Sequence, residues 1–250
     1  MVASDDELAR DLAVEAGRRL LELRASGTGD LRAAGDRLAH EFLTGELARR
    51  RPDDAVLSEE GKDDPARLAA QRVWIVDPLD GTREFGEAGR SDWAVHVALW
   101  AGGELAAGAV ALPAQGRVLS TAEPPPAWDG GTRGQLRVVV SRTRPPAFLD
   151  QLSAQAGLVP VPLGSAGAKA AAVILGDADA YVHDGGQYEW DSAAPVAVAL
   201  AAGLHASRLD GSKLEYNKAA PWQPDILICP EALAGRLLTA IGAVRRAGTE

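Results

Sequence analysis

Cysteine is almost missing: Cys229 is the only one in 250 residues, so no disulfide can form within the chain. Flanked by Ile228 and Pro230, that thiol reads as a small buried apolar group rather than a nucleophile. Positive charge is also short, with 26 Lys and Arg against 35 Asp and Glu and a net charge of −9. No basic block offsets this balance, which argues against broad nucleic-acid binding, because a protein that neutralises many phosphates carries a cationic face. A long apolar run is absent as well. The longest, residues 193–206, spans about 14 positions and contains Pro195, Gly203 and His205, whereas a bilayer span needs roughly 20. The acidic opening Ser4-Asp5-Asp6-Glu7 lacks the cationic start of a secretory signal. No internal repeat is visible. Together these absences predict a soluble cytoplasmic protein with neither a membrane nor a nucleic-acid partner.

What is present is globular in proportion, with 46% hydrophobic and 24% charged residues. A chain of this length buries roughly 70–75% of the surface it exposes when unfolded, enough for a core without covalent staples. Ser4-x-x-Glu7 has capping-box spacing, and Leu8, Leu12, Ala16, Leu20 and Leu23 recur every three or four residues, so a helix is expected up to Gly27-Thr28-Gly29. A second helical pattern covers residues 36–50 and is closed by Pro52. From Ala55 the period shortens to β-like runs at 55–57, 73–76, 93–100, 105–112 and 118–119, joined by turns such as Ala101-Gly102-Gly103, which suggests an antiparallel sheet. The Pro- and Gly-rich segment 123–131 is the clearest break and places a boundary near Gly134. Beyond it, strands at 136–141, 159–161, 178–182, 204–208 and 225–228 are interleaved with helices, among them 167–175, 191–202 and 231–246. The expectation is an α+β half over residues 1–133 and an α/β half with a largely parallel sheet over residues 134–250. A small ligand would sit in the cleft between the two sheets.

The most informative segment is Val73-Trp74-Ile75-Val76-Asp77-Pro78-Leu79-Asp80-Gly81-Thr82-Arg83-Glu84-Phe85. An apolar strand ends in a carboxylate, Pro78 is expected to stop the strand, and a second carboxylate follows three residues after the first. Such a turn, read alone, is an ordinary surface turn. Two further acidic element ends change its meaning: Glu59-Glu60 after Ala55-Val56-Leu57-Ser58, and Asp191 at a helix start in Glu189-Trp190-Asp191. Clustered carboxylates repel one another unless a cation sits among them. Mg²⁺ takes oxygen ligands, commonly one or two carboxylates per ion with places left for water and phosphate. Asp77, Asp80 and the Leu79 carbonyl offer such oxygens, and the Gly81-Thr82 start of the next element offers N–H groups and a hydroxyl to a phosphate. His40, His96 and His205 read as structural, since Mg²⁺ prefers oxygen.

Glu59-Glu60, the Asp77 to Thr82 turn and Trp190-Asp191, in this order, resemble the Mg²⁺-dependent, lithium-sensitive phosphatases typified by inositol monophosphatase, over about residues 36–217. Within that family the chain is similar to the CysQ-type 3′(2′),5′-bisphosphate nucleotidases. Thr82-Arg83-Glu84-Phe85, the Val140 to Arg144 segment and the Gly164 to Lys169 segment carry that likeness. The resemblance implies a layered α-β-α-β-α sandwich of the inositol monophosphatase type. It implies two or three Mg²⁺ ions on Glu59, Asp77, the Leu79 carbonyl, Asp80 and Asp191, with Asp77 shared between ions. The implied catalytic residues are Glu59 and Thr82, which positions or deprotonates the attacking water, with Asp36 supporting Thr82; no enzyme phosphate ester is expected. Substrate contacts are implied at Glu59, Leu79, Asp80, Gly81, Thr82, Arg142, Arg144, Ser165, Lys169 and Asp191. The implied reaction removes the 3′-phosphate of 3′-phosphoadenosine 5′-phosphate, giving AMP and phosphate, in support of sulfate assimilation. Two positions depart from the nucleotidase pattern: Arg144 stands where a His is usual, and His183 where a basic residue often follows the Tyr of the later strand.

Two other readings stay open on the sequence. One is a broader phosphatase acting on inositol 1-phosphate or fructose 1,6-bisphosphate, for which Arg142, Arg144, Lys169 and His183 should matter little. The other is a non-catalytic nucleotide sensor, which has no need of Thr82. A haloacid-dehalogenase-type mechanism fails on spacing, since it needs Asp-x-Asp and this turn is Asp-x-x-Asp. The oligomeric state, monomer or homodimer, is left open.

Overall fold

The computed structural model describes residues 3–27, 30–126, 128 and 134–247. Helix α1 (Asp5–Ser26) starts at the Ser4/Glu7 capping box and ends at Gly27, whose φ of 64° is the left-handed conformation that glycine adopts without strain. The remainder of the expected helix stop, Thr28 and Gly29, lies outside the described residues. Helix α2 (Leu31–Arg50) begins five residues before the expected start at Asp36, because Asp30 caps it by accepting from the N–H groups of Arg32 and Ala33. Asp36 is therefore inside the helix, one turn from its start.

The first sheet holds β1 (Ala55–Ser58), β2 (Arg72–Asp80), β3 (Ala94–Ala101), β4 (Glu104–Leu112) and β5 (Arg117–Ser120) in that order. It is antiparallel apart from the β1–β2 pair, which is parallel. After β5, residues 127 and 129–133, which take in part of the Pro- and Gly-rich break, fall outside the described residues; β6 (Leu136–Ser141) follows. There follow α4 (Leu149–Ala156), β7 (Leu158–Leu163), α5 (Ala166–Ile174), β8 (Ala180–Tyr188), α6 (Glu189–Ala201), β9 (Leu204–Ser207), β10 (Trp222–Pro230) and α7 (Glu231–Ala247). The second sheet has the order β7-β6-β8-β10-β9. Its β6–β7 and β6–β8 pairs are parallel, whereas β8–β10 and β10–β9 are antiparallel. The expected largely parallel sheet is thus mixed. The reason is local: β9 and β10 follow each other without an intervening helix, and strands joined in that way can pair antiparallel.

Three apolar cores stack these elements into five layers. Leu8, Leu12, Leu20, Leu43 and Leu47 of α1 and α2 pack on one face of the first sheet through Trp74, Val76, Val95 and Val97. The other face, through Val73, Ile75, Ala94 and Ala98, packs on α5 and α6, which also meet the second sheet through Val139, Tyr181, Ile226 and Ile228. Helices α4 and α7 cover the far face of that sheet with Leu149, Leu152, Leu237 and Ile241. Alternate residues of β2 and β3 serve different cores, as the two-residue strand period demands. The order is therefore α-β-α-β-α, as expected, and the middle core draws on residues from both sides of Gly134.

Candidate active site

Two carboxylates three positions apart on a regular strand point to opposite faces. Asp77 shares the parity of Val73 and Ile75 and so faces α5 and α6, whereas Asp80 by parity belongs on the α1/α2 side. The structure removes this conflict with a β-bulge. Asp77 pairs with His96 but Asp80 pairs with Ala94, so Pro78 and Leu79 stand opposite the single residue Val95. One extra residue re-phases the strand and turns both acids, with His96, toward α5 and α6. Pro78 does not stop β2, as the sequence reading had it; it occupies the bulge, where its missing N–H breaks no ladder bond, and the strand runs on to Asp80. Leu79 N–H donates to Oδ1 of Asp77 at 3.1 Å and fixes the bend.

Gly81 follows with φ 85°, and a Cβ there would lie 2.9 Å from Cβ of Ser165, so both backbone conformation and space require glycine. The short helix α3 (Thr82–Gly86) begins next. Oγ1 of Thr82 is 3.1 Å from the Leu79 carbonyl and 3.2 Å from Oδ1 of Asp36, so the hydroxyl donates to one of these two acceptors. Burial, with Glu60 nearby, pushes the Asp36 carboxyl up to about 6.

Asp77, Asp80 and Asp191 each bring a carboxylate oxygen within 4.8 Å of the others. Asp191 enters from the first turn of α6, where it accepts from the Tyr188 N–H at 2.6 Å. Glu59, just past β1, interacts with Asp77, and each carboxyl affects the ionisation of the other. Desolvation and the neighbouring acids raise Asp77 well above the ordinary carboxylate range, Glu59 to about 7 and Asp191 to about 6. Asp80 is the exception. Burial would raise it too, but His96, Lys169 and the Gly167 N–H outweigh burial and hold it below its usual value. Both its oxygens are engaged by the start of α5, accepting from Ala166 N–H at 3.1 Å and Gly167 N–H at 2.6 Å. His96, fully buried, stands with Nε2 3.1 Å from Oδ2 of Asp80, off the line of a well-aligned hydrogen bond, and Nδ1 3.1 Å from the Trp190 carbonyl. Its packing role is as expected, but its contact with Asp80 was not foreseen. Apart from the approach of His96 and Lys169 to Asp80, this is an all-oxygen cluster whose charges oppose one another, and it fits a hard divalent cation.

The cluster forms one wall of a cavity of about 440 Å³. Glu59, Asp80, Gly81, Thr82, Arg144, Ser165, Lys169 and Asp191 line it; of the remaining candidates Asp36, Asp77 and Leu79 are not on the lining. Arg142 is not on the lining: it donates to Glu84 at 2.6 Å and Glu87 at 2.7 Å and ties the end of β6 to α3. Lys169 is buried in the first turn of α5, with Nζ donating to the carbonyls of Gly164 at 2.6 Å and Ser165 at 2.9 Å. Ser165 caps the same helix by accepting from Ala168 N–H at 2.9 Å. Arg83, Tyr181, His183 and Gln187 also line the cavity. Of these, the sequence reading had weighed only His183 against a substrate. Tyr181 and Gln187 alternate with it along β8, a pattern visible only once the face turned to the cavity is known.

The profile of the inositol monophosphatase family matches residues 5–245. The chain belongs to the inositol monophosphatase family. It is 53% identical over 256 residues to the 3′-phosphoadenosine 5′-phosphate phosphatase of Mycobacterium leprae, covering 96% of this chain and 94% of that one. The protein of the same name from Mycobacterium tuberculosis is 54% identical over 238 residues, 91% of this chain and 89% of its own. Among solved structures, CysQ from Bacteroides thetaiotaomicron, a bacterial member of the family, superposes with a TM-score of 0.76 and 27% identity, over 91% of this chain and 97% of that one. As a phosphatase of the inositol monophosphatase family, the chain is an enzyme that hydrolyses phosphoric monoesters. No helix among the described residues is long and apolar enough to cross a membrane.

Proposed function

We propose that the enzyme removes the 3′-phosphate of 3′-phosphoadenosine 5′-phosphate, releasing AMP and phosphate, and that it serves sulfate assimilation in the cytoplasm. One observation carries this reading: the Glu59, Asp80 and Asp191 carboxylates, Thr82 and the cationic Arg144 all line a single cavity. Acids that could hold cations for a reacting phosphate and a guanidinium that could meet a second anionic group thus share one space. The names of the mycobacterial relatives support the same substrate.

Glu59, Asp77, the Leu79 carbonyl, Asp80 and Asp191 would hold two or three Mg²⁺ ions, which supply Lewis-acid neutralisation of the phosphate and a more acidic bound water. The protein's own part is positioning. Thr82 donates its hydroxyl proton to Asp36 and turns an oxygen lone pair toward the cavity, where it accepts a hydrogen bond from the attacking water. The half-buried Asp36 carboxylate fixes that orientation. The start of α5 holds Asp80 through two N–H groups and so sets one edge of the acid cluster. Lys169 braces the Gly164-Ser165 turn that closes the cavity beside Gly81.

The test is phosphate release with Mg²⁺ from 3′-phosphoadenosine 5′-phosphate, inositol 1-phosphate and fructose 1,6-bisphosphate, compared by kcat/KM on one preparation. The nucleotide should win by at least about 100-fold, about 2.7 kcal/mol of transition-state preference. Similar values for all three would leave a general phosphatase, and no release from any would leave a binding protein.

A further inference from the structure

Several guanidinium groups around α3 are committed to the protein. Arg142 holds Glu84 and Glu87, Arg90 holds Asp92, and Arg24 donates to the carbonyls of Arg90 at 2.8 Å and Glu87 at 2.6 Å. Two others, Arg83 and Arg144, are exposed, line the active-site cavity, and have no ion pair among the described residues. Other exposed arginines, Arg32, Arg37 and Arg236, also lack an ion pair among the described residues, but of these arginines Arg83 and Arg144 alone border the cavity. Arg83 follows Thr82 directly. Its neighbour Glu84 is buried and turned to Arg142, while Arg83 itself borders the cavity. Arg144 approaches the same space from the end of β6, with its backbone N–H donating to Oγ of Ser141 at 3.2 Å.

A phosphate that is not being cleaved carries up to two negative charges and is repelled by Glu59, Asp80 and Asp191. It needs a site away from them with uncommitted donors, and a planar guanidinium offers paired N–H groups to phosphate oxygens. We propose that Arg83, together with Arg144, binds the second, unreacted phosphate of a bisphosphorylated nucleoside and is thereby the specificity determinant that the Arg142 side chain is not. The assignment rests on the nucleotidase reading above and adds to it the residue that tells a bisphosphate from a monophosphate.

The experiment compares kcat/KM for 3′-phosphoadenosine 5′-phosphate with that for adenosine 3′-phosphate, in the wild type, Arg83→Ala, Arg83→Lys and Arg144→Ala. Binding of AMP, followed by calorimetry in chelator, gives a readout apart from turnover. Arg83→Ala should lower the bisphosphate-to-monophosphate ratio at least tenfold, equivalent to about 1.4 kcal/mol, and weaken AMP binding by a similar factor. Arg83→Lys should restore part of both. An equal loss on the two substrates, with the ratio kept within twofold, would overturn the assignment while the nucleotidase reading stands. A wild-type enzyme with no preference for the bisphosphate would overturn that reading and this assignment with it.

Discussion

Replacing glycine by alanine at two helical positions should move stability in opposite directions. At Gly45, on the exposed side of α2, an added Cβ meets nothing within 4 Å. Only the helix-propensity difference acts there, about 1 kcal/mol in favour of alanine. At Gly167, in the first turn of α5, the same gain applies, but the Cβ would stand 2.2 Å from Nε2 of His96, 2.8 Å from Cβ of Ala94 and 3.1 Å from Cγ1 of Val110. His96 has no room to yield, being fully buried between Asp80 and the Trp190 carbonyl, and Ala94 is fixed to the β3 backbone. Overpacking of such a site costs about 1–3 kcal/mol, and the rigidity of both neighbours places it at the upper end. The net cost is then about 2 kcal/mol. At roughly 2–4 °C per kcal/mol for a domain of this size, Gly167→Ala should melt about 4–8 °C below the wild type and Gly45→Ala about 2–4 °C above it. Thermal scans with excess Mg²⁺ and urea titrations on the same samples measure both. Because His96 and the Gly167 N–H both contact Asp80, kcat/KM should fall in Gly167→Ala and not in Gly45→Ala. A Gly167→Ala protein as stable and active as the wild type would refute the argument that this glycine makes room for His96.

Asp80→Asn should abolish turnover and also cost about 1–3 kcal/mol in urea titrations, since an amide NH₂ would face one of the two N–H groups that Asp80 now accepts; unchanged stability would count against that capping role. Glu189, wholly buried, accepts from the N–H groups of Asn217 at 2.7 Å and Lys218 at 2.9 Å. Glu189→Ala leaves both donors unpaired and should cost about 2–5 kcal/mol, with Glu189→Gln milder; equal melting points for the two variants would contradict this. Thr82→Ala should lower kcat more than it raises KM, which steady-state kinetics will show. In chelator, between about pH 5 and 7, Asp36, Glu59, Asp77 and Asp191, all raised, hold more protons in the folded protein than in the unfolded chain. The melting point of the metal-free protein should therefore rise as pH falls from 8 toward 5. Excess Mg²⁺ should flatten that rise, and a metal-free melting point that stays level or falls over this range would refute it.

Much of this site is written in local order. Apolar runs that end in acids at Leu57-Ser58-Glu59 and Val76-Asp77, and an acid in the first turn of α6, mark three of its corners, because strand ends and helix starts are where side chains leave the packed layers. The bulge at Pro78 was not legible, since proline argues equally for a strand end, and only the pairing of Asp77 with His96 and of Asp80 with Ala94 shows that the strand persists. The fate of Arg142 depends on Glu84 and Glu87, more than 50 positions away, which no spacing argument reaches. Lys169, which the resemblance implied as a substrate contact, folds back onto the carbonyls of its own preceding turn, a partner no spacing pattern reveals. The mixed character of the second sheet likewise turned on one missing helix between β9 and β10. Long-range partners and strand sense account for most of what local patterns left open.

Cys229 sits on β10 opposite His205 of β9, fully buried in the core beneath α4 and α7. Burial pushes its thiol up to about 12, so in the native protein it is both shielded and protonated. An alkylating reagent can modify it only when this outer layer opens, and no second thiol competes for the reagent. The rate of labelling is therefore a direct count of opening events in one defined layer, obtained from the unaltered chain. Set beside the unfolding rate of the layer around Trp74 and Trp93, it would show whether the five layers come apart in one step or peel from the outside.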